Sequence, residues 1–215
     1  MGSAVQGRFR IVALLLGASI LCWTRVARAH DEYRAEVFVY NDAHIPASTL
    51  ETAEMEASRI FRLAGVRLVW VNCSPYPVAL GKRLCQFVTG TNQFVLRVIP
   101  EGNVSMDLVF GQAFLGKNGV GKYADVFFDR IQTAHGEYGT NVPRLLGAVG
   151  AHELGHLILG FRAHSFIGIM TPVWEAECLR RMNMGSLLFT REEAARMQSR
   201  LERSETPESA SNVRR

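Results

Sequence analysis

The chain has 215 residues and a formal net charge of +4, from 24 Lys and Arg against 20 Asp and Glu. Four of the arginines and none of the acids lie in residues 1–29, so residues 30–215 carry no net charge. This balance gives no reason to expect a nucleic-acid partner. The length that follows residue 29 suits one domain with a sizeable core.

Residues 1–29 have the pattern of a secretory signal peptide. Two arginines precede the apolar stretch 11–23, and Ala27-Arg28-Ala29 forms an A-x-A cleavage site. Cleavage there would make His30 the first residue of the mature chain, whereas an uncleaved segment would act as a membrane anchor. We therefore predict export to the periplasm or the extracellular space, with no membrane contact unless the segment is retained.

Three cysteines follow the predicted signal peptide. Export leads to an oxidising compartment, where disulfides persist. Cys73 and Cys85 bracket a short loop with proline and glycine, and they predict a disulfide, which typically stabilises by about 2–4 kcal/mol. Cys178 is then left as a free thiol. No C-x-x-C spacing occurs, which argues against a cysteine metal site.

Taken in chain order, the apolar spacing predicts five strands and three helices. The strands are expected at 35–40, 67–71, 93–99, 108–114 and 123–131, and the helices at 47–64, from Pro143 to Gly160, and from Thr190 onward with Glu193 completing a capping box. One mixed sheet with two helices on a face would bury these elements, so the expected fold class is α/β, of the α+β kind. The polar residues 204–215 predict a disordered tail, which leaves 30–203 for the domain.

Asp125 and Asp129 flank the apolar strand predicted at 123–131. We interpret this strand as an edge of the sheet beside a cleft, where a peptide could add as a further strand. An ordinary internal strand is the alternative.

The most informative segment is His-Glu-Leu-Gly-His at 152–156. On a helix, His152 and His156 project from one face, where two imidazole nitrogens can reach one zinc ion at about 2.0–2.1 Å each. Glu153 lies beside that row and can take the proton of a water that the zinc has acidified. The surrounding helix is apolar, and buried polar groups are costly unless they are paired or ligated. A hydrogen-bonded structural histidine pair is the alternative.

Three glycines interrupt the same helix, at Gly147, Gly150 and Gly155. Each lowers the helix propensity by about 1 kcal/mol relative to alanine. Close packing of the helix would explain them, and so would close approach of a substrate.

Beyond the motif come Gly160, a further histidine at His164, and the run Ile169-Met170-Thr171-Pro172. Together with HExxH and the order of elements, these residues resemble the zincin metallopeptidases, and among them the metzincins. A closer resemblance, in HELGHLILG…HS…GIM, is to a group of small exported bacterial proteins. The resemblance implies a zincin-like mixed sheet with an active-site helix and a C-terminal helix. It also implies one zinc ion per chain on three histidines, Glu153 as the general base, and a Met-turn at Met170 under the metal.

The spacing of the third histidine departs from the metzincin pattern. That pattern is HExxHxxGxxH, whereas this chain reads HExxHxxxGxxxH, with one extra residue on each side of the glycine. The resemblance makes His164 the third ligand if the turn absorbs the extra residues. Some zincins use a more distant glutamate instead, and Glu175 and Glu177 lie 19 and 21 residues past His156. Both stay open as alternatives, although Pro172 disfavours a helix just before them.

These features predict an exported zinc-dependent hydrolase, a metallopeptidase that acts on peptide or protein substrates. The alternative is a catalytically silent zincin-fold binding module that keeps its metal for structure. Glu153 argues against that alternative, because a structural metal site has no use for a base beside the ion. The sequence leaves the oligomeric state open.

Overall fold

A five-stranded mixed sheet lies at the centre of the computed structural model, which describes residues 33–73, 85, 88–102 and 109–205. Its strands are β1 (Tyr33–Asn41), β2 (Val66–Cys73), β3 (Gln93–Ile99), β4 (Gly111–Phe114) and β5 (Tyr123–Phe127). They lie side by side in the order β2-β1-β3-β5-β4. Neighbouring strands are parallel except at one edge, where β4 pairs antiparallel with β5.

Five helices accompany the sheet within the described ranges. They are α1 (Ala47–Leu63), α2 (Phe128–Tyr138), α3 (Val142–Leu159), α4 (Ala176–Asn183) and α5 (Arg191–Glu205). The helices α1 and α3 pack against each other and against one face of the sheet. Val37, Leu96 and Val126 of the strands and Leu154 of α3 belong to the main core between these layers. The predicted α/β class, with a mixed sheet and helices on one face, is confirmed.

The local sequence determines where the motif helix α3 begins and ends. Before the helix, the side chain of Asn141 accepts a hydrogen bond from the backbone N–H of Arg144 at 3.0 Å, and Pro143 occupies the first turn. After the helix, Gly160 adopts a φ of 72°, which other residues rarely take, and its N–H donates to His156 O at 2.8 Å. The helix predicted from Pro143 to Gly160 is thus confirmed to within one residue.

Two of the glycines on α3 face tightly packed neighbours. A Cβ on Gly147 would overlap the carbonyl oxygen of Ala53 on α1 and would lie 2.9 Å from Cβ of Glu56. A Cβ on Gly150 would lie 3.2 Å from a methyl group of Leu96 on β3. Helix packing therefore accounts for both positions.

A second, smaller apolar cluster lies on the opposite face of the sheet, formed by Phe38, Cys73 and Val95. The structure contains the predicted disulfide, which joins Cys73 at the end of β2 to Cys85 with the two Cα atoms 5.8 Å apart. Cys178 on α4 is a free, partly buried thiol.

Two parts of the predicted order of elements are wrong. The strand expected at 123–131 ends at Phe127, and α2 begins at the next residue. Ile131 and Ala134, three residues apart, are both buried on α2, so the apolar residues change from strand to helical spacing within one short run. The segment between Gly160 and Thr190, where the sequence predicted no helix or strand, contains the helix α4.

The edge of the sheet also differs from the prediction. The strand β5, which carries Asp125, lies between β3 and β4 and is not an edge. Asp129 lies on α2, where its carboxylate accepts a hydrogen bond from the N–H of Gly102 at 3.2 Å. The edge on this side of the sheet is β4, which pairs with β5 on the side away from β3.

The predicted signal peptide at 1–29 lies outside the described residues, as do residues 206–215 of the predicted tail. The helix α5 continues through Ser204 and Glu205, the first two residues of that tail. In the described part of the chain, no helix is both long enough and apolar enough to cross a membrane.

Candidate metal centre

His152 and His156 stand one turn apart on α3, and their imidazole rings meet edge to face. The two Nε2 atoms are 3.1 Å apart. Two nitrogens bound to one tetrahedral zinc ion at about 2.0–2.1 Å would be separated by about 3.3 Å. The spacing of this pair therefore suits a shared metal ion.

The third histidine reaches the pair because the chain reverses sharply after α3. Gly160 and Arg162 both adopt positive φ, at 72° and 58°, and this turn absorbs the two residues by which the spacing exceeds the metzincin pattern. The ring centroid of His164 lies 4.6 Å from that of His156 and 5.7 Å from that of His152. The ligand nitrogens of all three lie within 4.8 Å of one another.

The ring of His152 is held from behind by two contacts. Its Nδ1 lies 2.7 Å from the carbonyl oxygen of Ile169. Because a carbonyl can only accept, Nδ1 carries the hydrogen and Nε2 keeps its lone pair toward the other histidines. Trp174 packs edge-on against the same ring at 5.7 Å between centroids, and its Nε1 donates to Thr171 O at 3.1 Å.

Desolvation, strongest at His152 and His156 and partial at the more exposed His164, favours the neutral form of the three rings. Desolvation lowers the pKa of His152 to about 4, and it lowers the pKa of His156 to about 3 with a further contribution from the neighbouring His152. Burial also lowers the pKa of His164. Since neutral imidazole is the form that binds metals, the donor set fits a zinc ion at neutral pH.

Glu153 is buried on the adjacent face of α3, with 5% of its surface exposed. Burial raises the pKa of its carboxyl group to about 8, and a hydrogen bond from the backbone of Ala113 on β4 opposes that rise. A Cβ on Gly111, also on β4, would lie 2.8 Å from Oε1 of Glu153. Glycine at that position therefore leaves the room that the carboxylate occupies.

A cavity of about 900 Å³ opens in front of the three histidines and Glu153. It runs between the edge strand β4 and residues 172–174. Apolar side chains form much of its wall, among them Phe110, Leu115, Val149, Pro172, Val173 and Trp174. The volume and the apolar lining are typical of a ligand-binding cleft.

The other predicted site residues fall into two groups. Met170 is completely buried, in the turn that follows His164. Glu175 and Glu177 are exposed and lie outside the group of three histidines. Glu177 pairs instead with Arg180, at 2.7 Å.

Trp174, Gly111 and Ala113 border the site, and none of them was predicted as a site residue from the sequence. A glycine inside a predicted strand often marks a position where a ligand or another part of the chain approaches closely. Gly111 lies inside the strand predicted at 108–114, so the sequence contained this signal. No spacing or motif marks Trp174 or the backbone of Ala113, because both reach the site through contacts between segments that are distant in the sequence.

Comparisons with known proteins agree with this architecture. No protein-family model matches the chain, and no curated protein does. Among solved structures, the chain resembles a zinc-dependent peptidase from Methanocorpusculum labreanum (strain Z), with a TM-score of 0.52 and 17% identity, over 75% of this chain and 99% of that one. It also resembles the archaemetzincin of Methanopyrus kandleri, with a TM-score of 0.49 and 20% identity, over 82% of this chain and 99% of that one.

At 17% identity, the similarity to the first structure shows a shared fold. The zincin-like fold class implied by the sequence resemblance is thereby confirmed. The narrower resemblance to a group of small exported bacterial proteins stays a prediction.

Proposed function

We propose that this protein is a zinc-dependent hydrolase, and more narrowly a metallopeptidase that cleaves peptide bonds. The observation that carries the proposal is that His152, His156 and His164 converge on one open cleft, with the buried carboxylate of Glu153 beside them. The fold shared with a zinc-dependent peptidase supports the same activity.

The three imidazoles would hold the zinc ion and leave a coordination position that faces the cleft. When bound, zinc supplies an acidified water and polarises the carbonyl of the bond to be cleaved. His152 is prepared for this role because the Ile169 carbonyl fixes the hydrogen on its far nitrogen.

Glu153 would act as the general base and then as the general acid. The charge of a bound zinc ion would favour the ionised form of this carboxylate against the burial that raises its pKa. The carboxylate would then take the proton of the attacking water and return it to the leaving amine. The hydrogen bond from Ala113 orients the carboxylate, and the missing side chain at Gly111 leaves space for it.

The substrate would be an extended peptide segment. The strand β4 is the edge of the sheet, and Gly111, Gln112 and Ala113 of this strand line the cleft. A peptide can pair with such an edge as a further strand. The apolar walls of the cleft favour apolar substrate side chains at the positions next to the cleaved bond.

The rival function is a silent binding module that keeps its metal for structure. A structural zinc site normally has four protein ligands, whereas a catalytic site has three and an open position. Within the described residues, the candidate metal site contains three histidines and no fourth donor. His152 is buried, His156 is partly buried and His164 is exposed. This arrangement favours catalysis.

We also propose that the protein works in the periplasm or outside the cell. The Cys73–Cys85 disulfide supports this, because disulfides persist in oxidising compartments.

The test is to incubate the purified mature protein with a mixed peptide library, with and without a chelator, and to measure its zinc content. We expect about one zinc per chain, cleavage that stops with the chelator, and recovery when zinc is returned. His156→Ala should carry little zinc. Equal zinc content in the parent and this variant would show that zinc is not bound at the proposed site. A zinc-loaded protein that cleaves no peptide would favour the binding module.

A further inference from the structure

We infer that Ser165 and Glu193 are positioning residues for the metal site, and that they hold His164 in place from the C-terminal helix. This inference rests on the proposed function, because it concerns the third histidine of the proposed zinc site. It assigns to Glu193 a task beyond the helix cap that the sequence predicts.

The position of the His164 ring depends on the backbone around it. His152 has a hydrogen bond to Ile169 O behind its ring. Within the described residues, no hydrogen bond holds the ring of His164, and its contacts with other aromatic rings are those with His152 and His156. Seven residues lie between His156 and His164, and a longer loop is less constrained by its ends. A precise position for His164 therefore needs a contact elsewhere in the loop.

Such a contact occurs at the next residue. The hydroxyl group of Ser165 donates to Oε1 of Glu193 at 2.7 Å, and the carbonyl oxygen of Ile167, a second acceptor for the same hydrogen, also lies at 2.7 Å. The backbone N–H of Ser165 donates to Met170 O at 3.1 Å. Both the side chain and the backbone of the residue beside His164 are thus fixed.

Glu193 is a firm point of attachment. It is 3% exposed, and its other oxygen, Oε2, accepts a hydrogen bond from the N–H of Thr190 at 2.7 Å. The hydroxyl of Thr190 in turn accepts from the N–H of Glu193 at 3.2 Å, which completes the capping box. A buried carboxylate with both oxygens bonded has little freedom to move, because releasing either bond would leave a buried charge unsatisfied.

The same segment also supports the first histidine. The N–H of Ile169 donates to Leu188 O at 2.9 Å, and the carbonyl of Ile169 is the one that holds His152. A Cβ on Gly168, at a φ of 84°, would lie 2.7 Å from Leu188 O. The loop after His164 therefore rests on residues 188–193, and Ser165–Glu193 is the attachment nearest to the third histidine.

The experiment compares zinc affinity, measured by competition with a chromophoric chelator, in two matched pairs of variants. Ser165→Ala is paired with Ser58→Ala, which removes a hydroxyl that accepts from Trp70 Nε1 at 2.8 Å away from the loop. Glu193→Ala is paired with Asp129→Ala, which removes a carboxylate that accepts from the N–H of Gly102 at 3.2 Å on α2, away from the loop. Thermal melting of the zinc-free proteins shows that each variant folds.

We expect Ser165→Ala and Glu193→Ala to weaken zinc binding about 10–100-fold, as the loss of supporting partners around metal ligands typically does. Ser58→Ala and Asp129→Ala should lower stability and leave zinc affinity unchanged. Ser165→Thr keeps the hydroxyl and should keep the affinity. In a His164→Ala background, Ser165→Ala should have no further effect, because it acts through that histidine.

Equal zinc affinity in Ser165→Ala and Ser58→Ala would overturn the inference. So would an equal loss from Ser165→Ala with and without His164. A parent protein that binds no zinc would overturn the proposed function as well. The expected pattern of affinities in a protein that cleaves no peptide would support the positioning role and remove only the peptidase activity.

Discussion

The sulfur atom of Met170 lies directly against the backbone of Gly155, so close that a Cβ on Gly155 would stand 2.7 Å from it. Gly155 directly precedes His156 in the HExxH motif. Because Gly155 has no side chain, the turn that contains Met170 packs closely against α3. The carbonyl group of the neighbouring Ile169 can then reach the ring of His152. Packing thus accounts for the third glycine of the helix as well.

Replacing Glu153 by alanine should abolish hydrolysis and preserve zinc binding. Its carboxylate is the base in the proposed reaction but is not one of the three grouped donors. General acid–base catalysis typically contributes about 10²–10⁴ in rate, so kcat should fall by that factor. Peptide cleavage by the zinc-loaded variant is the measurement, and the parent rate in this variant would contradict the mechanism.

The third zinc ligand should be His164. His164→Ala should weaken zinc binding by more than about 100-fold, since even the partners that support ligands contribute about 10–100-fold. Glu175→Ala and Glu177→Ala should bind zinc like the parent, because both side chains are exposed and outside the histidine group. The reverse ranking in a chelator competition would indicate a glutamate-ligand site.

Two glycine-to-alanine changes on helices should have opposite effects on stability. Gly147→Ala should lower the free energy of unfolding by about 1–3 kcal/mol, because the added methyl group would overlap Ala53 O. Gly136→Ala on α2 should raise it by up to about 1 kcal/mol, because the position is open and alanine is the better helix former. Urea denaturation at one fixed zinc concentration compares them. A stabilised Gly147→Ala would show that α1 moves away without cost.

Glu54→Gln should stabilise the protein at neutral pH. Burial raises the pKa of the Glu54 carboxyl from 4.5, and within the described residues no partner bonds its buried Oε1. A raised folded-state pKa means that the folded protein holds this proton more tightly, so stability is lost as the pH rises from the ordinary glutamate range through the raised pKa.

The gain from Glu54→Gln should therefore be largest above that window and should vanish as the pH falls below about 4.5, the unperturbed value. Melting temperatures of parent and variant across pH test this, with the exposed Glu202→Gln as the control. A gain that does not change with pH would show that packing, and not charge, is responsible.

Processing and disulfide formation should occur together in an exporting host. The A-x-A site predicts a mature chain that begins at His30, and the oxidising compartment predicts the Cys73–Cys85 bridge with Cys178 free. Intact mass and peptide mapping of non-reduced protein would decide both points. Three free thiols would contradict the exported location, and a retained N-terminal segment would indicate a membrane-anchored form.

Much of the candidate site could be predicted because its signals are local. The helix with His152, Glu153 and His156 is marked by Pro143 near its start, by Gly160 at its end and by the four-residue spacing of the histidines, all within residues 143–160. The Thr190–Glu193 capping box is likewise confirmed, since both partners lie within one helical turn. The short spacing of Cys73 and Cys85 predicted their bridge for the same reason.

The tertiary structure decided what depends on contacts between distant segments. Strand patterns do not specify the order of strands, so only the structure shows that β4 is the edge and that β5 is internal. Only the turn at Gly160 and Arg162 brings His164, rather than Glu175, to the histidine pair. Ser165 and Glu193 lie 28 residues apart, and their contact exists because α5 packs beside α3. Local spacing constrains residues within a turn or two of chain, whereas these contacts follow from how whole elements pack.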